Sequence, residues 1–184
     1  MRPFGDERFL KHGHAVGRSL VTTVPAALAL VLAADASTKA WAERALPEDV
    51  PVSVAGSMVR LTHAHNSGVA FGWLASGPWA LLLSGAVLLA LVCVALRRLY
   101  AGRMPRRAVL PLALLLGGAL ANFVDRLGDG RVTDFLDVGI GVFRWPVFNL
   151  ADLFVVAGGV AAVVAFHRMA ASGVCPCCAL SVQQ

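Results

Sequence analysis

Six polar residues with the chemistry of a catalytic or binding site stand in one stretch of the chain, residues 117–155, between two strongly apolar runs. They are Asn122, Asp125, Arg126, Asp134, Asn149 and Asp152. Ionisable side chains are costly at a bilayer face, and inside membrane proteins they usually line a functional site. The stretch therefore predicts such a site.

Carboxylates dominate this set, and their pairing suggests a specific chemistry. Two neighbouring carboxylates cannot both ionise easily, so they share one proton; one then activates water while the other donates a proton to a carbonyl oxygen. A nucleophile is harder to find, because no Ser stands in a GxSxG turn and Cys93 is expected near the opposite face. The residues favour the chemistry of an aspartic protease.

The composition indicates a single-domain membrane protein. Of 184 residues, 58% are hydrophobic and 15% charged, and the mean hydropathy is +0.71. The net charge of +5 does not indicate nucleic-acid binding, since the basic residues cluster beside apolar runs. The tail sequence Cys175, Pro176, Cys177, Cys178 is interpreted as free thiols, with a soft-metal site as the alternative.

Four membrane spans are predicted, at about residues 19–41, 74–96, 108–127 and 149–167. The apolar runs 108–121 and 153–166 hold only 14 residues each, short of the roughly 20 that a bilayer requires, so their polar ends must enter the membrane. The first run could be a cleavable signal peptide. However, Asp35 and Lys39 continue it at i,i+4 spacing, which favours a retained helix.

Residues 50–72 change to Val, Ser, Thr, His and Gly with partial alternation, which predicts strands in a segment too polar to span. The predicted fold is thus a membrane all-α fold. Its four transmembrane helices carry a small extracytoplasmic β-structured segment between helices 1 and 2 and a loop between helices 3 and 4. His63 and His65 alternate in that segment; surface histidines are the preferred interpretation and a metal site the alternative.

Charge sets the predicted orientation. The leader 1–18, the loop 97–107 and the tail hold ten Lys and Arg against two acids, whereas the remainder holds six against nine. The first group is therefore predicted to be cytoplasmic, and the four tryptophans fall near the outer ends of the spans. Alternating spans then bring Asp35, Lys39 and the polar residues of 117–155 together in an outer-leaflet pocket, with Asp134 in the outer loop.

Five short motifs in this chain resemble those of the lipoprotein signal peptidases (signal peptidase II), intramembrane aspartic proteases of bacteria. They occur in the family's order: Asp35, Thr38, Lys39; Asn66, Gly68, Ala70, Phe71; Asn122, Asp125, Arg126; Val132, Asp134, Phe135; and Phe148, Asn149, Ala151, Asp152. Each motif alone is weak. Five in order on four predicted spans make a specific match.

The resemblance implies a role for each site residue. Asp134 and Asp152 would be the catalytic dyad; Asn66, Asn122, Arg126 and Asn149 would bind substrate; Asp35, Lys39, Gly118 and Asp125 would support the site, without a metal or cofactor. The region 19–169 would be the peptidase domain, followed by a cytoplasmic tail, 170–184. The implied substrates are diacylglyceryl-modified prolipoproteins, cut before the lipidated Cys. A monomer in the bacterial inner membrane, in contact with lipid and inhibited by the cyclic peptide globomycin, is expected.

Other interpretations remain open at this point. Asp35 with Lys39 could be a helix-surface ion pair, and Asp125 with Arg126 a structural pair. Asp129 and Asp137 are expected to be solvated loop residues. A proton- or cation-conducting bundle or an inactive relative that binds precursors would also fit intramembrane acids, although the chain has no internal repeat.

Overall fold

A computed structural model describes residues 7–69, 74–101 and 103–171 of the chain. Its helices are α1 (Glu7–Ala45), α2 (Pro78–Tyr100), α3 (Arg106–Asp129) and α4 (Leu150–Ala171). Its strands are β1 (Val52–Ala55), β2 (Val59–Asn66), β3 (Gly68–Val69), β4 (Leu74–Ser76), β5 (Val132–Ile140) and β6 (Phe143–Arg144). Among these described helices, α2, α3 and α4 are long and apolar enough to cross a membrane. The predicted tail lies outside the described residues, apart from the end of α4.

The predicted second span begins too early. Residues 74–76 belong to strand β4, which pairs with β3, and α2 starts only at Pro78. Gly77 lies between them with a φ of 56°, a left-handed conformation that suits glycine. Proline then takes the first helical position, where a missing N–H costs nothing. The apolar run conceals this boundary because Leu74 and Ala75 suit a membrane helix equally well.

The predicted loop between the third and fourth helices is also wrong, because it contains a nine-residue strand. β5 runs antiparallel to β2 in a four-stranded sheet of order β1-β2-β5-β6, with Asp134 opposite Ala64. The alternation Val132, Asp134, Leu136, Val138 has period two but includes an acid, which hid it. Asp134 therefore stands on a strand paired on both sides.

Asp137, expected in solvent, is buried in this sheet. Its carboxylate accepts hydrogen bonds from Arg60 Nε at 2.7 Å and Arg144 Nε at 2.6 Å. Burial alone would raise the pKa of Asp137, but the hydrogen bonds and charges of the two arginines hold it below its usual value. Asp129, by contrast, is exposed beside Arg131, as expected.

The helices meet through glycines. α1 packs on α3 at Gly117, where an added Cβ would lie 3.0 Å from Val31 Cγ1. α3 packs on α4 at Gly118, whose added Cβ would press on the carbonyl of Ala151 and lie 3.1 Å from Val155 N. Gly118 thus permits the close approach of α3 to the first turn of α4.

Two adjacent glycines of α4 provide a test of this packing. An added Cβ at Gly158 would lie 2.5 Å from Leu115 N and 2.6 Å from Pro111 O, whereas one at Gly159 meets nothing within 4 Å. Because backbone atoms of α3 cannot yield locally, Gly158→Ala is expected to destabilise the fold by about 1–3 kcal/mol. Gly159→Ala is the matched control and should leave thermal unfolding in detergent unchanged or slightly raised; equal midpoints for the two variants would contradict the packing described.

Candidate active site

Asp134, on β5, holds one carboxylate of the predicted dyad, and only 2% of the residue is exposed. Its Oδ1 accepts a hydrogen bond from Asn149 Nδ2 at 2.7 Å, and its Oδ2 accepts one from Asn66 Nδ2 at 2.9 Å. Asn66, at the end of β2, also accepts a bond from Gly68 N at 2.9 Å, which fixes the turn into β3. The sheet and the residue preceding α4 therefore set the position of this carboxylate.

Asp152, in the first turn of α4, holds the second carboxylate. Its Oδ2 accepts the backbone N–H of Asn149 at 3.2 Å, and its own N–H donates to Asn149 Oδ1 at 3.0 Å. This is the reciprocal bonding of a capping box, with Asp in the place of Glu. Asp152 Oδ1 accepts a bond from Asn122 Nδ2 of α3 at 2.8 Å. The cap thus orients a candidate catalytic side chain as well as starting the helix.

All four carboxylate oxygens of the pair accept one N–H bond each, and every donor is neutral. Asn149, which is completely buried, donates to both acids, and its amide also donates to Asn122 Oδ1 at 3.0 Å. No arginine or lysine bonds directly to either carboxylate in the described structure. Because neutral amides compensate less charge than a cation does, the pair is suited to holding one proton between its members.

Lys39 lies behind the pair and is only 4% exposed. Its ammonium contacts Asp35 Oδ2 at 2.5 Å and Asp125 Oδ2 at 2.6 Å, and it donates to Asn122 Oδ1 at 3.0 Å. The ammonium is thus paired with two carboxylates of opposite charge and hydrogen-bonded to one amide oxygen. The helix-surface interpretation of Asp35 with Lys39 is therefore wrong, since both side chains are buried.

Asp35 joins α1 to the start of α4. Its Oδ1 accepts the backbone N–H of Ala151 at 2.8 Å, one residue before Asp152. The first N–H groups of a helix have no partner within the helix, so a carboxylate from another helix satisfies one of them here. Asp35 thus helps to fix the turn that carries Asp152.

Arg126 is buried and bonds to backbone carbonyls of the chain itself. Its Nη1 donates to Asn122 O at 3.0 Å and its Nη2 to Gly68 O, while its Nε is buried without a hydrogen-bond partner in the described structure. The planar guanidinium therefore ties α3 to β3. Its sequence neighbour Asp125 pairs with Lys39 instead, so the suggested Asp125–Arg126 pair is wrong.

The environment of Asp134 changes its proton affinity. Burial, followed by the charge of Asp152, raises the pKa of Asp134 to about 7, although the bonds from Asn66 and Asn149 and the charge of Lys39 act in the opposite direction. A carboxyl group with such a pKa still carries a proton in much of the population near neutral pH. It can then act as a proton donor.

A pocket of about 430 Å³ opens onto the pair. Its polar wall includes Asp134 and Asp152, and its apolar walls come from Leu83 and Val87 of α2 and from Val155 and Val156 of α4. Asn66, Asn122, Arg126 and Asn149 also line it. The structure thus brings the predicted catalytic and binding residues to one pocket, while Asp35, Lys39, Gly118 and Asp125 lie behind it.

Thr133 and Glu43, which lie near Asp134, were not predicted from the sequence. Thr133 Oγ1, next to Asp134, donates to Glu43 Oε1 of α1 at 2.7 Å. Trp41 contacts Phe135 edge to face, with ring centroids 6.4 Å apart. Glu43 follows Asp35 and Lys39 at successive intervals of four residues, which places all three on one face of a helix. This spacing could have identified Glu43 from the sequence.

Comparison with known proteins identifies relatives over most of the chain. A lipoprotein signal peptidase from Xylella fastidiosa (strain M12) is 39% identical over 134 residues, covering 71% of this chain and 79% of that protein. One from Xanthomonas axonopodis pv. citri (strain 306) is 39% identical over 140 residues, covering 74% and 80%.

A solved structure supports the same relationship. It is described as a bacterial membrane enzyme determined by the in meso method at 2.3 Å resolution, and it is similar with a TM-score of 0.66 and 27% identity, over 79% of this chain and 88% of that one. The model of the Signal peptidase (SPase) II family matches residues 27–168, which include every candidate site residue. With its apolar helices, this chain is therefore an integral bacterial membrane protein that belongs to the signal peptidase II family.

Proposed function

We propose that the protein is a membrane-embedded aspartic endopeptidase that cleaves the signal peptide from diacylglyceryl-modified prolipoproteins immediately before the lipidated Cys. Family membership supports the substrate class. The observation that carries the mechanism is the pair itself: Asp134 and Asp152 face one pocket, and each of their oxygens is held by a neutral N–H donor.

The chemistry follows from the different surroundings of the two acids. We assign the ionised role to Asp152, because the N-terminus of α4 stabilises a negative charge, and the protonated role to Asp134, whose pKa is raised. Asp152 takes a proton from water, and the water oxygen bonds to the peptide carbonyl carbon. Asp134 gives its proton to the carbonyl oxygen. When the C–N bond breaks, the proton taken by Asp152 passes to the leaving nitrogen, and the oxygen returns its proton to Asp134.

The pocket suits a substrate with both peptide and lipid character. Its apolar walls from α2 and α4 can bury hydrocarbon, while Asn66, Asn122 and Asn149 already bond the two acids and hold them against a peptide bond. Arg126 positions α3 and β3 around the pocket through its backbone bonds. Inhibition by globomycin and a monomeric state belong to the same proposal.

The proposed placement is in the bacterial cytoplasmic membrane with α1 as a fourth span, both termini cytoplasmic and the active site near the outer face. The excess of basic residues in 1–18 and 97–107 supports it. So do Trp41, Trp79 and Trp145, which are exposed on α1, at the start of α2 and just before α4. The outer face would then carry the sheet.

Replacing the acids tests the mechanism. Asp134→Asn and Asp152→Asn keep the side-chain shape but cannot exchange a proton, so each should reduce cleavage of a lipidated precursor on the order of 10³-fold or more. The double variant should lose little more, because the two groups act as one unit. The measurement is the rate of appearance of the shortened product by gel mobility.

Asp129→Asn is the matched control, since Asp129 is exposed and its carboxylate bonds to Arg131 and to neither acid of the pair. Asp137→Asn is unsuitable, because it would leave Arg60 and Arg144 without their shared carboxylate. If Asp134→Asn or Asp152→Asn retained substantial turnover while the control was unaffected, the mechanism would be wrong.

The pH dependence follows from the pKa of Asp134. Since the mechanism requires one proton on the pair, kcat/KM should fall as the pH rises through about 7, with apparent pKa values that belong to both acids. Stability should change in the same direction. The folded state binds the proton of Asp134 more tightly than the unfolded state does, and this stabilises the fold. The stabilisation is complete below pH 3.8, the ordinary pKa, and is lost as the pH rises through about 7.

Asp134→Asn should remove this contribution to stability. Thermal unfolding midpoints of the wild type and the variant, measured in detergent between pH 5 and 8, should therefore converge or cross as the pH rises. Parallel curves would show that Asp134 does not titrate in this range.

Cysteine labelling tests the placement in the membrane. In a variant whose four native cysteines are replaced by Ser, a membrane-impermeant maleimide added to intact cells should modify Cys introduced at Asp129 but not at Arg103. Both positions are exposed, so accessibility within the protein does not decide the result. The reverse pattern would place the pocket at the cytoplasmic face.

A further inference from the structure

A second groove lies far from the pocket, between α3 and α4 at the end of the bundle that carries the loop 101–105. It has a volume of about 500 Å³ and is lined by Pro105, Arg107, Pro111, Ala161, Val164, Ala165, Arg168 and Met169. It begins beyond the close contact of Gly158 with Pro111. From there the small side chains of Ala161 and Ala165 leave space that the helices do not fill.

Two arginines flank this groove. Neither Arg107 nor Arg168 forms a hydrogen bond or ion pair within the described residues, and both are exposed. Four more arginines, at positions 97, 98, 103 and 106, lie at the same end, and residues 95–107 and 153–171 contain no Asp or Glu. The charge at this end is therefore positive and has no counterpart in these segments.

An apolar groove with two unpaired guanidinium groups at one end matches one class of molecule in a bilayer. Phosphate is bound well by arginine, whose N–H groups form a planar fork. Helix α4 rises roughly 10 Å from Ala161 to Arg168. If Ala161 lies beside the acyl chains of the bilayer, Arg168 therefore lies at the depth of the headgroups. Basic pockets between transmembrane helices bind anionic headgroups in this manner.

We propose that this groove binds an anionic phospholipid, with its phosphate between Arg107 and Arg168 and an acyl chain along Pro111, Ala161 and Ala165. The site is separate from the candidate active site and does not depend on the proposed peptidase activity. A zwitterionic lipid fits less well, because its own cation would face the segments 95–107 and 153–171, which contain arginine but no Asp or Glu.

Native mass spectrometry of the full chain in neutral detergent tests the proposal. With added phosphatidylglycerol or phosphatidylcholine of the same acyl chains, the wild type should retain one phosphatidylglycerol and little phosphatidylcholine. Arg107→Gln/Arg168→Gln should weaken retention about tenfold or more, since each arginine contributes independently. The matched control, Arg97→Gln/Arg103→Gln, removes the same charge outside the groove and should change retention less than about twofold.

Two further measurements show whether the groove itself holds the lipid and whether the variants remain folded. Ala161→Phe keeps both arginines but fills the groove, so it should also lose the lipid. Cleavage of a lipidated precursor in neutral detergent should persist in all these variants if the proposed activity is correct, and unchanged thermal midpoints show folding independently of that activity.

Several results would overturn the proposal. If the control double variant lost the lipid equally, the attraction would be only a diffuse one to a basic surface. If Ala161→Phe retained the lipid, the lipid would not bind in the groove. Displacement of the lipid by an equal concentration of inorganic phosphate would indicate a phosphate site. A lipid-free dimer, or retention only after residues 172–184 are removed, would identify a second copy or the tail as the occupant.

Discussion

The buried ammonium of Lys39 is the interaction on which the arrangement of this site depends. It contacts Asp35 on its own helix, and Asp125 and Asn122 on α3, so one charge joins the two helices. Removing one partner of a buried ion pair typically costs about 3–5 kcal/mol, because the remaining charges lose their compensation. Asn122 then transmits this anchoring to Asp152, and Asp35 transmits it to the first turn of α4. The lysine thus fixes a carboxylate that it does not touch.

Keeping the cations one residue away from the pair has a chemical consequence. Had Lys39 or Arg126 bonded directly to Asp134, its proton would be lost well below neutral pH, and no group would remain to protonate a carbonyl oxygen. Instead, Lys39 pairs with Asp35 and Asp125 and donates to Asn122, and Arg126 donates to two backbone carbonyls. Amide groups can fix both acids without the strong stabilisation of the charged form that a cation would bring.

The sequence predicted this site better than it predicted the elements that build it. Polar side chains within apolar spans can bond to little except one another. The order of the spans was therefore enough to predict that Asn122, Asn149 and Asp152 lie together. The strand β5 could not be found in the same way, because Asp134 and Asp137 interrupt its apolar alternation and their partners, Asn66, Arg60 and Arg144, come from elsewhere. The true partner of Asp125 was equally hidden, since three-dimensional packing selected Lys39 over the adjacent arginine.

The two ends of the bundle differ in how their cationic side chains are paired. At the site end, arginine and lysine side chains bond to carboxylates and carbonyls. Arg60 and Arg144 both bond to Asp137 of β5, and this fixes the strand that carries Asp134. At the other end, Arg107 and Arg168 have no such partner among the described residues. Cationic side chains that are paired within the protein hold other side chains in place and do not occupy the pocket. Those that are unsatisfied are available to the anionic surface of a membrane, which attracts basic residues within a Debye length. The same residue types therefore fix the position of the candidate site at one end and leave unpaired positive charge at the other.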